Sequence, residues 1–115
     1  MSTDADCPFC KIVAGEIPAD VVHRTGSTVA FRDLNAQAPT HVLVVPTSHH
    51  ENAAALAQAE PGVVAELVDT AHEVAVAEGL EGYRMVFNTG AAAGQSVFHV
   101  HLHVLGGREL AWPPG

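Results

Sequence analysis

Positive charge is scarce in this chain. Lysine and arginine together number 5 against 13 aspartates and glutamates, a formal net charge of −8 over 115 residues. An acidic surface of that kind argues against general binding to nucleic acid or to anionic membranes. A phosphate-bearing ligand would have to be held by backbone N–H groups and histidines instead. Long apolar runs are missing too. None approaches the roughly 20 residues of a membrane span, and the opening residues 1–6 are acidic, without the apolar segment of a signal peptide. Both absences point to a cytoplasmic protein. Cysteine is limited to Cys7 and Cys10, and a cytosolic setting disfavours joining them as a disulfide. No internal repeat or low-complexity block is visible. With 48% hydrophobic and 16% charged residues the composition is that of a globular chain, and residues 1–115 read as one domain with a modest core.

What the chain does have is histidine, and His99, His101 and His103 alternate with Val100, Leu102 and Val104. A period of two is the mark of a half-buried strand. The apolar residues then enter the core while the three imidazoles share the other face, each about 6–7 Å from the next. A polar, solvent-facing strand edge would explain the pattern blandly. A metal held by all three fits poorly, because the outer pair starts roughly 13 Å apart and Zn–N bonds run near about 2.0–2.1 Å. Catalysis fits better: one histidine can be a nucleophile and a neighbour can move protons near neutral pH.

The rest of the chain reads as strands joined by turns, with one long helix. Phe9–Ala14 is a short helix stopped at Gly15. Val21–His23, Thr28–Arg32 and Thr40–Pro46 are strands, the last buried on both faces by its run Val42-Leu43-Val44-Val45. His49–Ala57 is a loop or a short helical turn. Pro61 opens the long helix. Val64, Leu67, Val68, Ala71, Val74 and Ala75 give it one buried stripe, and Gly79 ends it. His72 lies beside that stripe as a surface or boundary residue. Tyr83–Asn88 is a fourth strand, Thr89–Ser96 a glycine-bounded loop, Phe98–Leu105 the fifth strand, and the tail from Gly106 is irregular, with Pro113-Pro114 preventing a helix. This pattern predicts an α+β fold with an antiparallel sheet.

Cys7-Pro-Phe-Cys10 has three readings: two cysteines that only pack, a redox pair, or half of a zinc site. No βαβ pattern supports the redox reading. The zinc reading needs two more ligands, for which His49 or His50, and His99, are candidates.

The run His99-Val-His-Leu-His-Val-Leu105 resembles the motif of the histidine triad (HIT) superfamily. Gly94-Gln95-Ser96 before it, and Gly106-Gly107-Arg108 through Trp112-Pro113-Pro114-Gly115 after it, are similar to the Hint branch, the nucleoside phosphoramidate hydrolases. The resemblance runs from Cys7 to Gly115. It implies the HIT fold: about five antiparallel strands, one long helix, a short N-terminal helix, and a sheet continued across a homodimer in which Trp112 of one subunit reaches toward the other's active site. It implies that His101 is the nucleophile and that Asn88, Gly94, Gln95, Ser96, His101 and His103 surround the α-phosphate, with Ser96 donating to the phosphate or leaving group. Phe31, Asp33 and Leu34 match nucleoside-binding positions. Phe9, Ile12 and Ile17 form the apolar base slot, and Asp33 suits a ribose diol. His41 matches a buried histidine behind the triad, where it, or the carbonyl of a neighbouring strand, would fix the tautomer of His101. Arg32 stands where animal Hint proteins carry histidine. The ligand set of many bacterial members corresponds to Cys7, Cys10, His49 and His99, a structural zinc that the chemistry does not require. The substrate implied is a purine nucleotide or nucleoside phosphoramidate. A dinucleoside polyphosphate hydrolase, a nucleotidyl transferase and a nucleotide-binding interaction protein stay open beside it.

Overall fold

The computed structural model describes residues 4–115. Five strands form one antiparallel sheet in the order β1-β2-β3-β5-β4: β1 Val21–Arg24, β2 Thr28–Arg32, β3 Thr40–Pro46, β4 Tyr83–Val86 and β5 Leu102–Gly106. Strand β3 lies at the centre, paired with β2 through Thr28↔Pro46 to Arg32↔Val42 and with β5 through Thr40↔Gly106 to Val44↔Leu102. Every residue of β3 is buried, as its unbroken apolar run predicts.

Alternation splits the sheet into two faces. Ala30, Val42, Val44, Val100, Leu102 and Val104 point one way and pack under Leu56, Leu67, Ala71 and Val74. These last come from α2, Ala53–Ala59, and from α3, the 17-residue helix Pro61–Ala77. Asn52 caps α2 by accepting from the Ala55 amide at 2.9 Å. On the opposite face Val29, Phe31, Leu43 and Val45 pack against Cys7, Phe9 and Cys10, which belong to α1, Pro8–Val13, and its cap Cys7. The sheet thus carries two helices on one side and leaves the other side, with only the small α1, free to hold the histidines. Among the described residues no helix is long and apolar enough to cross a membrane.

The ends of α1 and β1 and the last residue of β5 shift by one residue from the sequence reading, and three larger departures bear on the site. The segment His49–Ala57 leads into a full helix, α2, which starts at Ala53 and runs past the segment's end to Ala59, because Asn52 supplies a cap that apolar periodicity does not register. Strand β5 begins at Leu102 rather than Phe98. Beyond Val44↔Leu102 the partner strand reaches Pro46, whose carbonyl is taken by the His99 ring at 3.0 Å, while the Val100 amide turns to His50 O at 2.8 Å. Alternation persists there, with Val100 and His99 both buried, but without a ladder. Strand β4 ends at Val86, opposite His103. Phe87 and Asn88 leave the sheet.

Candidate active site and metal centre

Backbone groups with only one possible role fix the protons of the triad. A carbonyl can only accept, so His99 donates Nε2–H to Pro46 O at 3.0 Å, and its Nδ1 carries a lone pair. His101 donates Nδ1–H to His99 O at 2.8 Å, which leaves the lone pair on Nε2. An amide can only donate. Gln37 N–H lies 3.0 Å from His41 Nδ1, so the ring hydrogen of His41 sits on Nε2. That Nε2–H has two acceptors in reach, His103 Nδ1 at 2.9 Å and Asp33 Oδ2 at 3.3 Å; His103 Nδ1 is the nearer and cannot itself donate to a nitrogen that carries the hydrogen. The remaining hydrogen of His103 is on Nε2, a buried atom with no hydrogen-bond partner among the described residues. The site thus presents a bare imidazole nitrogen on His101 beside an unspent N–H on His103, with ring centroids 5.0 Å apart, closer than the spacing of a flat strand. The tautomer of His101 is held by its own segment's carbonyl, two residues back, and not by a neighbouring strand or by His41. His41 acts on His103.

Burial keeps these rings neutral. It lowers His101 below the ordinary histidine range. It also lowers His103 to about 4, helped by His101 and His41 alongside. His99 is pushed down to about 4, chiefly by burial.

The lone pair of His99 has a different destination. Cys7, Cys10, His49 and His99 bring one ligand atom each within 4.8 Å of one another. His99 Nδ1 is 3.4 Å from Cys7 Sγ and 3.5 Å from Cys10 Sγ; His49 Nδ1 is 3.5 Å from Cys10 Sγ and 3.1 Å from His99 Nδ1. Around a tetrahedral zinc with normal bond lengths, nitrogens sit about 3.3 Å apart and nitrogen and sulfur about 3.6 Å apart. The cluster has those edges. Pro46 O holding His99 from behind is the usual outer support of such a ligand. Burial raises the Cys10 thiol, and a bound cation reverses that effect. His50 is excluded: its Nε2 bonds Glu60 at 2.7 Å. The four residues fit a structural zinc.

A second trio, Asp33, His41 and His103, also lies within 4.8 Å, with Asp33 Oδ2 3.3 Å from His41 Nε2. It does not suit a cation. Binding through His41 Nε2 would put the ring hydrogen on Nδ1, against the Gln37 N–H. A hydrogen-bonded relay accounts for the geometry.

In front of the triad lies a cavity of about 430 Å³ with a largely apolar wall. Of the residues expected around a nucleotide, Phe9, Ile12, Ile17, Phe31, Asp33, Leu34, Asn88, Gly94, Ser96, His101 and His103 all line it. Phe9 stands edge-on to Phe31 at 5.4 Å and to His101 at 5.1 Å. Leu34 is fully exposed at the rim. Gln95 does not line the cavity. Its side chain is buried, accepting from Gly90 N at 2.8 Å and donating to Glu51 O at 2.7 Å and Val97 O at 3.1 Å. It shapes the Gly90–Gly94 loop from behind, and every polar atom is committed. Arg32, singled out in the sequence at this edge of the pocket, lines it; Asp20, Leu43 and Val97 are among lining residues that sequence reasoning missed. The Arg32 guanidinium is held by Glu78, at 2.8 and 3.2 Å, and by Asp20 at 3.5 Å. A second, larger cavity of about 660 Å³, between Gly79–Arg84 and Gly107–Leu110, contains none of the triad.

The chain is similar to known proteins over nearly its whole length. The family model described as "HIT domain" matches residues 14–110. A 14 kDa zinc-binding protein of Zea mays is 46% identical over 97% of this chain and 90% of its own. Adenylylsulfatase HINT1 of Arabidopsis thaliana is 42% identical over 99% of this chain and 81% of its own. The crystal structure of a HIT family hydrolase from Legionella pneumophila superposes with a TM-score of 0.92 at 46% identity, covering 96% of this chain and 100% of that one.

Proposed function

The chain belongs to the HIT domain family, and from that premise we propose that it is a cytoplasmic, homodimeric hydrolase of purine nucleoside 5′-monophosphoramidates. The observation that carries the reading is the pair of opposed tautomers: an unprotonated His101 Nε2 next to an unpaired His103 Nε2–H at the end of a nucleoside-sized apolar cavity.

His101 Nε2 attacks the α-phosphorus as the P–N bond breaks. The nucleotide is then joined to the histidine, the amine departs with a proton drawn from solvent, and water hydrolyses the nucleotidyl-histidine to the nucleoside monophosphate, returning a proton to solvent. His103 Nε2–H donates to a phosphoryl oxygen where negative charge builds. Ser96 donates to the leaving group or phosphate. The loop at Gly94, whose φ of 95° a side-chain-bearing residue rarely adopts, lets backbone N–H groups approach the anion. Asp33 accepts from the ribose, and Phe9, Ile12, Ile17, Phe31 and Leu34 hold the base. Zinc at the four-ligand cluster supplies stability and no step of the reaction. Support for the dimer comes from half-exposed or exposed Val68 and Val76 on α3 and Met85 on the edge strand β4; sedimentation as a monomer at micromolar concentration would contradict it.

The name of the Arabidopsis relative favours a second reading, in which the leaving group is sulfate and the same histidine attacks adenylyl sulfate. A panel of adenosine and guanosine phosphoramidates, adenylyl sulfate and dinucleoside polyphosphates, compared by kcat/KM, tests both. Phosphoramidates should lead. Preference for adenylyl sulfate or dinucleotides would replace the leaving group, and binding of AMP without turnover of any member would leave only a nucleotide-binding protein.

A further inference from the structure

We infer that Arg108 is a positioning residue: by clamping the main chain of Gln37 it fixes the tautomer of His103, and with it the N–H that faces the substrate. This rests on the reading of the site as a nucleotidyl-transferring one. Arg108 places Nε at 3.2 Å and Nη2 at 3.1 Å from Gln37 O, two donors of one guanidinium on a single carbonyl. Gln37 N–H then donates to His41 Nδ1, and His41 Nε2–H to His103 Nδ1. The Gln37 side chain folds onto its own loop, at Asn35 O, so only its backbone takes part.

Two features show that the clamp matters. The loop over residues 34–37 is exposed, and its other bonds are local: the Asn35 amide to Asp33 Oδ1 at 2.8 Å and Gln37 Nε2 to Asn35 O at 3.0 Å. Gly107 has φ of 90°, and a Cβ there would stand 2.9 Å from Pro39 Cβ. Glycine therefore lets the chain after β5 lie close enough for Arg108 to reach Gln37. Without the clamp the Gln37 amide drifts from His41, and only Asp33 Oδ2, 3.3 Å from His41 Nε2, still favours the hydrogen on that nitrogen. In the fraction of molecules that flips, His41 carries its hydrogen on Nδ1, its Nε2 becomes an acceptor, His103 takes its hydrogen on Nδ1, and His103 Nε2 holds a lone pair in place of a donor.

The test is imidazole ¹⁵N NMR on the zinc-loaded full chain, together with steady-state kinetics on an adenosine phosphoramidate. In the wild type, His41 and His103 should both be Nε2–H tautomers. In Arg108→Ala, His103 should become a mixture and kcat should fall about tenfold, less than the roughly 10²–10³-fold for complete loss of one charge-stabilising donor because part of the population keeps it, with KM changed by less than about twofold; Arg108→Lys should lie between. A wild-type His103 protonated on Nδ1, or an Arg108→Ala protein with wild-type tautomers and kcat, would overturn the inference. Should Arg108→Ala fail to fold, Gln37→Pro, which removes the N–H, carries the same readout. If phosphoramidates are not turned over but the tautomer of His103 still follows Arg108, the proposed reaction falls and the positioning role stands.

Discussion

Replacing His49 with alanine should abolish the zinc dependence of stability, and replacing His50 should not. The two histidines are neighbours in sequence but point to different partners: His49 Nδ1 to Cys10 Sγ and His99 Nδ1, His50 Nε2 to Glu60. The four ligands join α1, the segment after β3 and the segment before β5, across gaps of 39 residues between Cys10 and His49 and 50 between His49 and His99. An unfolded chain does not hold them together, so zinc binds the native state and stabilises it by mass action. The gain is about 4 kcal/mol when free zinc is about 1,000 times the dissociation constant. A chain of 115 residues unfolds with an entropy of about 0.24 kcal/mol/K. The melting temperature of the zinc-loaded protein should therefore exceed that of the stripped protein by about 17 °C. Calorimetry with and without chelator, with elemental analysis for one zinc per chain, measures it. Wild-type protein melting at the same temperature in both states, or His50→Ala losing zinc while His49→Ala keeps it, would refute the assignment.

Burial lowers the pKa of His101, and attack needs the neutral ring, so the acid limb of kcat/KM in zinc-loaded protein should lie below the ordinary histidine value of about 6.5; a limb above that value would contradict it. Phe9→Ala removes a buried ring wedged between Phe31 and His101 and should cost about 3 kcal/mol in urea unfolding, the low end for this change because the ring also borders the cavity. Leu34→Ala at the exposed rim should cost less than about 0.5 kcal/mol while raising KM; equal losses of stability would remove the distinction between wall and rim. Truncation of residues 110–115, which include Trp112 at 82% exposure, should leave the melting temperature within a few degrees, since Arg84 loses only its bonds to Leu110 O and Ala111 O. It should change substrate preference, as kcat/KM ratios across the panel would reveal.

Much of this was legible in the sequence because side-chain type and spacing carried it. The apolar run of β3 predicts burial on both faces, and the stripe of α3 predicts its packing. Cys-x-x-Cys restricted the metal readings, although only the structure separates His49 from His50. Other features had no such signal. Alternation at His99 and Val100 looks like strand whether or not a ladder forms, because the carbonyl that ends the pairing goes to an imidazole. The tautomers depend on backbone groups of Gln37, Pro46 and His99, whose side-chain identities say nothing of that role. Gln95 is at the expected position in the chain but turns inward, since the tight Gly90–Gly94 loop needs an internal anchor more than the cavity needs an amide. Arg32 is held by Glu78, a carboxylate 46 residues away.

The most direct test of the central claim is to mix enzyme with an adenosine phosphoramidate, quench in the first turnover, and map the modified residue by mass spectrometry. The account predicts a nucleotidyl group on His101 in the wild type. His101→Asn, which keeps a hydrogen-bonding side chain without the nucleophile, should show neither adduct nor turnover while still binding AMP. An adduct on His103, or wild-type turnover in His101→Asn, would contradict it.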